Sequence, residues 1–444
     1  MKVIFLCGGI GKRMFPITED KFLLEFLGKT LLEHQIERAK EAGLSDFVII
    51  ANPQNINKVE EVVNSLPGIR AELALQTQPV GIADALRSAE RFLDGEIIVV
   101  NSNDVFEGSA YSKLIEAGRD NSAVSCLLGY EVKDYFPGGY LVVDEKNELK
   151  LMVEKPRRGG EPSNLVNILV HLHTDLKRLL KYAETIESTK DDLYERAIDG
   201  MVKGGCKIKV VPYVGFWTPI KYPWHILDAV RQFLDGSERY VSPSAYVSGE
   251  ARLEGKVIIG DNVRICGNAV IRGPAYIGPN SVIGNNSLVR DYTHIGADCV
   301  VGYSTEVKGS YIGDGCWFHM NYIGDSVIAD GCAFGAGTVL ANFRFDEATI
   351  KVRVQGEVID SGRDKLGAII GSNSRTGINA SIMPGVRIGP NSIVSSHVCL
   401  ANDLEPDKCA LAEARCTIIA NRPRLEDQLK LNARRRLERL QCVE

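Results

Sequence analysis

A glycine-rich segment near the start of the chain carries residue types suited to phosphate chemistry. It reads Leu6-Cys7-Gly8-Gly9-Ile10-Gly11-Lys12-Arg13 and follows a short apolar run. Glycines let the backbone come close to a triphosphate and direct N–H groups at its oxygens, and an arginine neutralises its charge. Because such loops occur in many folds, the residues that follow decide what this one binds.

The first half of the chain alternates apolar runs with helical patterns. Four runs predict strands: Val3 to Cys7, Phe47 to Ala51, Ile97 to Val100 and Val124 to Leu128. Thr30 and Glu33 form a capping box, and Gly43 stands where a helix C-terminal cap belongs. This alternation predicts an α/β, Rossmann-like domain with a mainly parallel sheet, which binds ligands beyond the carboxyl ends of its strands. Gly8 to Gly11 and Asp104 fall at such ends.

The loop and four later segments resemble the sugar-1-phosphate nucleotidyltransferases. Gln76 to Gly81 is similar to the segment with which that family reads a pyrimidine base, and Asn103-Asp104 stands where the family has Gly-Asp. The segments around Gly139 and Lys155 match those that hold the sugar and its phosphate. The resemblance implies nucleotide-binding residues Leu6, Gly8, Gly9, Gly11, Gln76 and Gly81, catalytic residues Arg13, Lys21 and Asp104, and sugar-phosphate-binding residues Gly139, Glu154, Lys155 and Asn167.

The chemistry that this resemblance implies is an in-line attack by a sugar-1-phosphate oxygen on the α-phosphorus of an NTP, with release of pyrophosphate. Such a reaction depends on positioning and charge neutralisation more than on a covalent nucleophile. Lys155 would hold the attacking phosphate, Arg13 and Lys21 the triphosphate, and Asp104 the Mg²⁺.

Three positions depart from the family pattern. Lys12 replaces a threonine of the signature, and Asp20 replaces a proline. Pro219 stands where the family's second Mg²⁺-binding aspartate is expected. Because proline has no side-chain ligand, these departures imply altered metal use or reduced nucleotidyl transfer.

Beyond about Tyr240 the pattern changes to a strict six-residue period. Its first series contains Ile259, Ile265, Ile271, Ile277, Ile283, Val289, Ile295, Val301 and Val307, and a second runs Ile370, Thr376, Ile382, Ile388 and Val394. This pattern resembles the hexapeptide-repeat family, which implies a left-handed parallel β-helix. Between the series the period slips near Gly313 to Asp325 and is absent from Phe343 to Lys365. Breaks in a solenoid predict loops that carry function.

The residues around the slip resemble the acetyltransferase half of the bifunctional glucosamine-1-phosphate acetyltransferase/uridylyltransferases, and the Phe343 to Lys365 insert looks like the archaeal variant. The resemblance assigns sugar-phosphate binding to Arg290, Lys308, Tyr322 and Asn342, and catalysis to His319. A histidine suits the role because an amine must lose a proton before it attacks a thioester, and imidazole titrates near neutral pH. The family also implies acetyl-CoA as cosubstrate, bound between the subunits of a homotrimer and lined by Ala336 to Thr338.

Composition narrows the cellular context and the partners. The formal charge of −5 is spread along the 444 residues and argues against nucleic-acid binding, despite the basic stretch Arg422 to Arg439. No apolar run has membrane-spanning length and none resembles a signal peptide, so we expect a cytoplasmic protein. The 11 cysteines include no C-x-x-C pair, which predicts neither disulfides nor a thiolate zinc site. His171 and His173 lack a nearby third ligand.

These observations predict three regions and leave three functions open. The regions are a nucleotidyltransferase-like domain over 1–238, a β-helix over 239–418 and a helical segment over 419–444. The first function is a bifunctional enzyme that acetylates glucosamine-1-phosphate and then forms a UDP-N-acetylglucosamine-like product from UTP or dTTP. The second is an acetyltransferase with a degenerate nucleotidyltransferase domain. The third is a scaffold without catalysis, as in some translation initiation factor subunits; Asp104, Lys155 and the set around His319 argue against it.

Overall fold

The computed structural model describes residues 1–119, 122–188, 192–413, 417–419 and 425–441. The chain divides into two compact units, Met1–Ala410 and Leu411–Glu444. The smaller unit contains the helix Leu425–Gln441, on which Leu429, Leu431 and Leu437 are exposed. The helix predicted from Pro423 is therefore present, although Pro423 and Arg422 lie outside the described residues.

A mixed, mostly parallel sheet forms the N-terminal part of the larger unit. Its strands are Lys2–Leu6, Asp46–Ala51, Arg70–Leu75, Ile97–Asn101, Ser125–Glu131, Gly139–Val143, Leu149–Glu154, Leu165–His173 and Ile208–Pro212. The four predicted strands are all among them. Lys2–Leu6 lies at the centre and pairs in parallel with Asp46–Ala51 and Ile97–Asn101, so the carboxyl ends of three strands meet. This arrangement places the glycine-rich loop at the edge where ligands bind in parallel sheets.

Helices cover both faces of this sheet. They are Leu31–Glu41, Ile56–Ser65, Ile82–Ser88, Ser109–Gly118, Leu176–Glu184, Leu193–Lys203 and His225–Asp235, with 3₁₀ turns Lys12–Met14, Lys21–Leu23 and Glu90–Phe92. The predicted capping box is confirmed, because the Glu33 backbone N–H donates to Thr30 Oγ1 at 3.2 Å and the Thr30 N–H donates to the Glu33 carboxylate at 2.6 Å. Gly43 follows the helix at φ +87°, a conformation that glycine adopts without strain.

Three parallel sheets form the sides of a prism in the second part of the larger unit. The first side contains Tyr240–Val241, Val257–Ile259, Ala275–Ile277, Thr293–Ile295, Tyr311–Ile312, Val327–Ile328, Ile369–Ile370 and Arg387–Ile388. The second contains Tyr246–Val247, Arg264–Ile265, Val282–Ile283, Val300–Val301, Trp317–Phe318, Ala333–Phe334, Arg375–Thr376, Ile393–Val394 and Cys409–Ala410. The third contains Arg252–Glu254, Val270–Arg272, Leu288–Val289, Glu306–Lys308, Tyr322–Gly324, Val339–Leu340, Ser381–Ile382 and Cys399–Leu400.

The six-residue repeat places its aliphatic residues inside this prism. All nine residues of the first series are 0% exposed and belong to one apolar core. Early coils are eighteen residues long, as the pairing of Ile259 with Ile277 shows. Coils shorten where the period slips, since Val307 pairs with Ile323. The insert Phe343 to Lys365 contains an antiparallel hairpin, Lys351–Val354 with Glu357–Asp360.

The sheet domain and the prism share one apolar cluster within the larger unit. Phe26 stacks on Phe233 with ring centroids 5.0 Å apart and lies 5.9 Å from the ring of Tyr311 in the prism. The insert joins this interface, because Arg363 forms an ion pair with Asp228 on the helix His225–Asp235. The insert is therefore packed against the sheet domain as well as attached to the prism.

Candidate functional sites

A cleft of about 330 Å³ opens at the carboxyl ends of the central strands. Five of the predicted nucleotide-binding residues line it: Leu6, Gly8, Gly9, Gln76 and Gly81. The sixth, Gly11, lies outside this lining and close to the Lys21 side chain, because a Cβ on Gly11 would come within 3.4 Å of Lys21 Cε. The structure thus gathers residues from two distant segments of the sequence into one cavity.

Gln76 is fixed in the cleft by its side-chain amide. Its Nε2 donates to the Asp84 carboxylate at 2.8 Å and to the Gly81 carbonyl at 3.2 Å. The side chain is buried. This orientation holds the Gln76 Oε1 against the backbone of Gly8.

Basic side chains reach the same end of the sheet from separate segments. Arg13 is exposed on the 3₁₀ turn Lys12–Met14. Burial lowers the pKa of Lys21, an effect that the nearby Asp104 carboxylate opposes and the Arg13 charge reinforces. Lys155 adopts φ +45°, a left-handed conformation that is rare for residues other than glycine. Its Nζ lies 2.7 Å from Glu154.

Asp104 is a buried carboxylate with both oxygens engaged. Its Oδ1 accepts from Asn101 Nδ2 at 2.7 Å, and its Oδ2 accepts from the Trp217 indole N–H at 2.9 Å. Burial raises the pKa of Asp104, while the indole hydrogen bond and the charges of Lys221 and Lys21 lower it. The Asp104 carboxylate therefore lies among cations in a site largely screened from water.

The residue paired with Asp104 offers no side-chain metal ligand. Pro219 is the residue directly opposite Asp104 in an antiparallel pair of short strands, Asp104–Phe106 with Trp217–Pro219. Across the described ranges, no group of three or more His, Cys, Asp or Glu side chains is arranged to hold a metal ion. Pro219 thus offers no second carboxylate at the position paired with Asp104.

Lys221 was not predicted from the sequence and lies in this same region. Its Nζ donates to the Pro137 carbonyl at 2.7 Å and lies 3.6 Å from the centroid of the Phe136 ring. Burial lowers the pKa of Lys221, whereas the Asp104 and Glu154 carboxylates raise it. The sequence signal that could have identified it is its place two residues after Pro219, the position that departs from the family pattern.

The predicted sugar-phosphate residues of the sheet domain lie together. Glu154 pairs with Gly139 across two antiparallel strands, and a Cβ on Gly139 would come within 3.5 Å of Asn167 Cβ. Glu154 also carries the ion pair to Lys155. Gly139, Glu154, Lys155 and Asn167 therefore form one cluster.

A buried chain of hydrogen bonds orients the Asn167 amide. Asn167 Oδ1 lies 2.7 Å from His171 Nε2, and the Tyr194 hydroxyl lies 2.8 Å from both His171 Nδ1 and His173 Nε2. Ser125 Oγ completes the chain at 2.8 Å from His173 Nδ1. Burial lowers the pKa of both histidines, so both imidazoles stay neutral near pH 7. The His171 and His173 pair is thus engaged in orienting Asn167.

A second polar cluster lies on the third side of the prism. Lys308 Nζ pairs with the Asp325 carboxylate at 2.9 Å, and Asn342 Nδ2 donates to the same oxygen. A Cβ on Gly324 would come within 2.9 Å of the Tyr322 hydroxyl and within 2.6 Å of Asn342 Nδ2. Lys308, Tyr322 and Asn342 are thereby brought together from three successive coils.

Arg290 and His319, the other two residues predicted for acetyl transfer, make contacts of their own. Arg290, eighteen residues before Lys308, forms its ion pair with Glu306 at 3.0 Å. His319 is exposed at the corner of the shortened coil, where its backbone N–H donates to Asn321 Oδ1 at 2.6 Å. Its ring lies 6.0 Å from that of the exposed Trp317. The imidazole is therefore accessible from outside the chain.

Comparison with known proteins decides the family. Residues 2–198 match the nucleotidyl transferase model, and residues 256–291 and 367–402 match the six-repeat bacterial transferase hexapeptide model. The chain is 36% identical over 411 residues to a bifunctional sugar-1-phosphate nucleotidylyltransferase/acetyltransferase of Sulfurisphaera tokodaii, covering 98% of that protein and 90% of this chain. The chain belongs to this family of bifunctional enzymes.

Other proteins are also similar to this chain. The bifunctional protein GlmU of Methanococcus maripaludis is 38% identical over 411 residues, with 91% of this chain and 96% of that protein covered. Among solved structures, a UDP-glucose pyrophosphorylase complexed with UDP-glucose covers 49% of this chain and 91% of that one, at 20% identity and a TM-score of 0.43.

Membership of the bifunctional family establishes the fold class and favours one of the three functions predicted from the sequence. The prism is the left-handed β-helix of the hexapeptide family, attached to a Rossmann-like nucleotidyltransferase domain. The degenerate-domain and scaffold hypotheses are not favoured. None of the helices in the described part of the chain combines the length and apolar character needed to span a lipid bilayer.

Proposed function

We propose that this member of the bifunctional family acetylates glucosamine-1-phosphate and transfers a uridylyl or thymidylyl group from UTP or dTTP to a sugar-1-phosphate. The product is UDP-N-acetylglucosamine or a closely similar nucleotide sugar. The full-length similarity to the Sulfurisphaera tokodaii protein carries this proposal, because it spans both parts of the chain. The two separate polar clusters support it.

Acetyl transfer is assigned to the cluster on the β-helix. Lys308 and Arg290 bind the phosphate of glucosamine-1-phosphate, with Tyr322 and Asn342 contacting the sugar. His319 accepts a proton from the amine of glucosamine-1-phosphate as the amine nitrogen attacks the thioester carbonyl of acetyl-CoA. A carbon–nitrogen bond forms, the carbon–sulfur bond breaks, and the thiolate of coenzyme A leaves.

Nucleotidyl transfer is assigned to the cleft of the sheet domain. The N–H groups of Gly8, Gly9 and Gly11 and the charges of Arg13 and Lys21 hold the triphosphate. Gln76 and Gly81 contact the base, and Leu6 packs beside them. Lys155 holds the sugar-1-phosphate, with Gly139, Glu154 and Asn167 around the sugar. A sugar-phosphate oxygen forms the new bond to the α-phosphorus as the bond to pyrophosphate breaks.

In this proposal Mg²⁺ is bound mainly by the phosphates of the NTP. Asp104 is a single buried carboxylate opposite Pro219, and its oxygens already accept two hydrogen bonds. Mg²⁺ is commonly bound through substrate phosphates and water, with only one or two protein carboxylates. The chain's own residues therefore supply the charges around the phosphates.

A homotrimer is proposed as the acetyl-transfer unit. The corner that carries His319 also exposes Trp317 and Met320, each with about half of its surface accessible. Exposed apolar residues beside a polar cluster are typical of an interface. Acetyl-CoA would lie between two chains near Ala336 to Thr338, so each site would need a neighbouring subunit.

Product analysis tests both halves of the proposal. Purified protein is incubated with glucosamine-1-phosphate, acetyl-CoA, Mg²⁺ and each NTP in turn, and products are identified by mass spectrometry. We expect N-acetylglucosamine-1-phosphate in every reaction, and a nucleotide sugar with pyrophosphate for UTP or dTTP. Acetylation without a nucleotide sugar from any NTP would instead support the degenerate-domain hypothesis.

A further inference from the structure

A lysine follows two residues after the position that is paired with Asp104 in the nucleotidyl-transfer site. Pro219 is paired with Asp104 across two short antiparallel strands, so a side chain at either position faces the same region. Lys221 follows two residues later, beyond the buried Ile220, whose backbone N–H donates to the Asn103 carbonyl at 3.0 Å. That bond ties the lysine segment to the residue preceding Asp104.

The Lys221 segment is held from both sides. Nδ1 of His225 lies 3.2 Å from the Lys221 backbone nitrogen and 2.9 Å from the Pro219 carbonyl oxygen. The side chain passes over Phe136, and its ammonium donates to the Pro137 carbonyl. These contacts fix the ammonium in position before any ligand arrives, which reduces the entropy lost on binding.

Charges of both signs surround this ammonium. Asp104 and Glu154 attract it, whereas Lys155 and Arg13 repel it. The Lys221 Nζ donates its hydrogen bond to the neutral Pro137 carbonyl and not to a carboxylate. A lysine ammonium has three N–H donors and binds phosphate as a point charge.

We propose that Lys221 is a phosphate-binding cation of the nucleotidyl-transfer site, which holds the triphosphate beside Asp104 without a divalent ion bound by the protein. This inference rests on the proposed function and adds a residue to its machinery. Lys221 acts together with Arg13 and Lys21 on the bound phosphates. The free protein accordingly binds polyphosphate in the absence of metal and binds divalent cations weakly.

The first test measures binding of inorganic tripolyphosphate in EDTA by isothermal titration calorimetry. This probe has neither base nor sugar, so it does not depend on substrate identity. We expect Lys221→Met to weaken binding about 10- to 100-fold, the range for loss of one charged hydrogen bond, with partial recovery in Lys221→Arg. The control Lys177→Met, which removes an exposed lysine paired with Asp94, should bind like wild type.

The second test measures metal binding to the free protein by Mn²⁺ electron paramagnetic resonance. We expect wild type to leave Mn²⁺ free in solution and the double variant Pro219→Asp, Lys221→Gly to bind it. Retained acetyl-transfer activity and melting temperature show that each variant is folded. Equal tripolyphosphate affinity in wild type and Lys221→Met would overturn the proposal, as would stoichiometric Mn²⁺ binding by wild type that Asp104→Asn abolishes.

The results of these two tests do not depend on the result of the product analysis. If no NTP gives a nucleotide sugar but tripolyphosphate binding depends on Lys221, the proposed activity fails and the proposed cation stands. If nucleotide sugar forms and tripolyphosphate binding is indifferent to Lys221, the cation fails and the activity stands.

Discussion

The Gln76 side chain closes over Gly8 so tightly that a Cβ at position 8 would come within 2.1 Å of Gln76 Oε1. No rotation of a methyl group relieves such an overlap, so Gln76 must move. Gln76 is itself held by Asp84 and the Gly81 carbonyl. The loop backbone and the proposed base-contacting residue therefore form one unit.

Gly8→Ala should impair nucleotidyl transfer by displacing Gln76. We expect kcat/KM for the NTP to fall about tenfold or more, because a misplaced contact at a reacting site has large kinetic effects. The measurement is pyrophosphate release with varied NTP. Gly9→Ala tests the loop itself, since a Cβ there meets nothing within 4 Å and the backbone N–H is retained. Equal loss in both variants would show that loop flexibility matters and the Gln76 contact does not.

His319→Ala should abolish acetyl transfer and leave nucleotidyl transfer to N-acetylglucosamine-1-phosphate intact. Loss of a general base typically costs roughly 10²- to 10⁴-fold in rate. The measurement is release of free coenzyme A thiol in parallel with pyrophosphate release. His397→Asn replaces another exposed β-helix histidine, in a left-handed conformation that asparagine tolerates, and should retain both activities. Wild-type acetylation by His319→Ala would refute the assignment.

Light scattering should give a mass three times that of the 48.7 kDa chain. Trp317→Glu places a charge on the exposed apolar corner beside His319 and should shift the protein toward monomer. We expect acetyl transfer to fall as the trimer is lost and nucleotidyl transfer to persist. A wild-type monomer at micromolar concentration would contradict both the trimer and the shared site.

Arg363→Ala should weaken the packing of the insert on the sheet domain. Its ion pair with Asp228 is partly exposed, so we expect a coupling of up to about 1 kcal/mol in a double-mutant cycle with Asp228→Ala. Asp228 lies on the helix that begins at His225, and His225 Nδ1 lies 2.9 Å from the Pro219 carbonyl oxygen. Because that helix contacts the proposed nucleotidyl-transfer site, the KM for the NTP should also rise. Arg344→Ala removes the exposed insert pair with Asp346 and serves as the control. A coupling near zero would mean that apolar contacts alone fasten the insert.

The buried histidine pair should make the protein sensitive to acid. Unfolded histidines take up protons near pH 6.5, whereas burial lowers the pKa of native His173 to about 3. The unfolded state therefore binds more protons as pH falls below 6.5, and each such histidine lowers stability by about 1.4 kcal/mol per pH unit down to its native pKa. Replacing His171 and His173 with phenylalanine should flatten the decline in melting temperature between pH 6.5 and 4.5. An unchanged slope in the double variant would contradict this account.

Much of the architecture could be predicted because it depends on local patterns. The six-residue aliphatic period predicted a three-sided β-helix, and the residues from Ile259 to Val307 are its fully buried core. The Thr30 and Glu33 capping box was likewise predictable, since its two members are three residues apart. The nucleotide-binding role of Gly8, Gly9 and Gly11 was predicted from a contiguous segment together with the motifs that follow it.

The sequence by itself thus determined the two domain folds, the family, and the residues of each motif, because periodicity and contiguous signatures are recorded along the chain. Only the tertiary structure decided that Lys221 lies near Asp104, that Tyr194 joins His171 to His173, and that Arg363 reaches Asp228. Each of these contacts joins separate elements of the fold. Their geometry depends on how strands pair and helices pack, which no spacing in the sequence encodes.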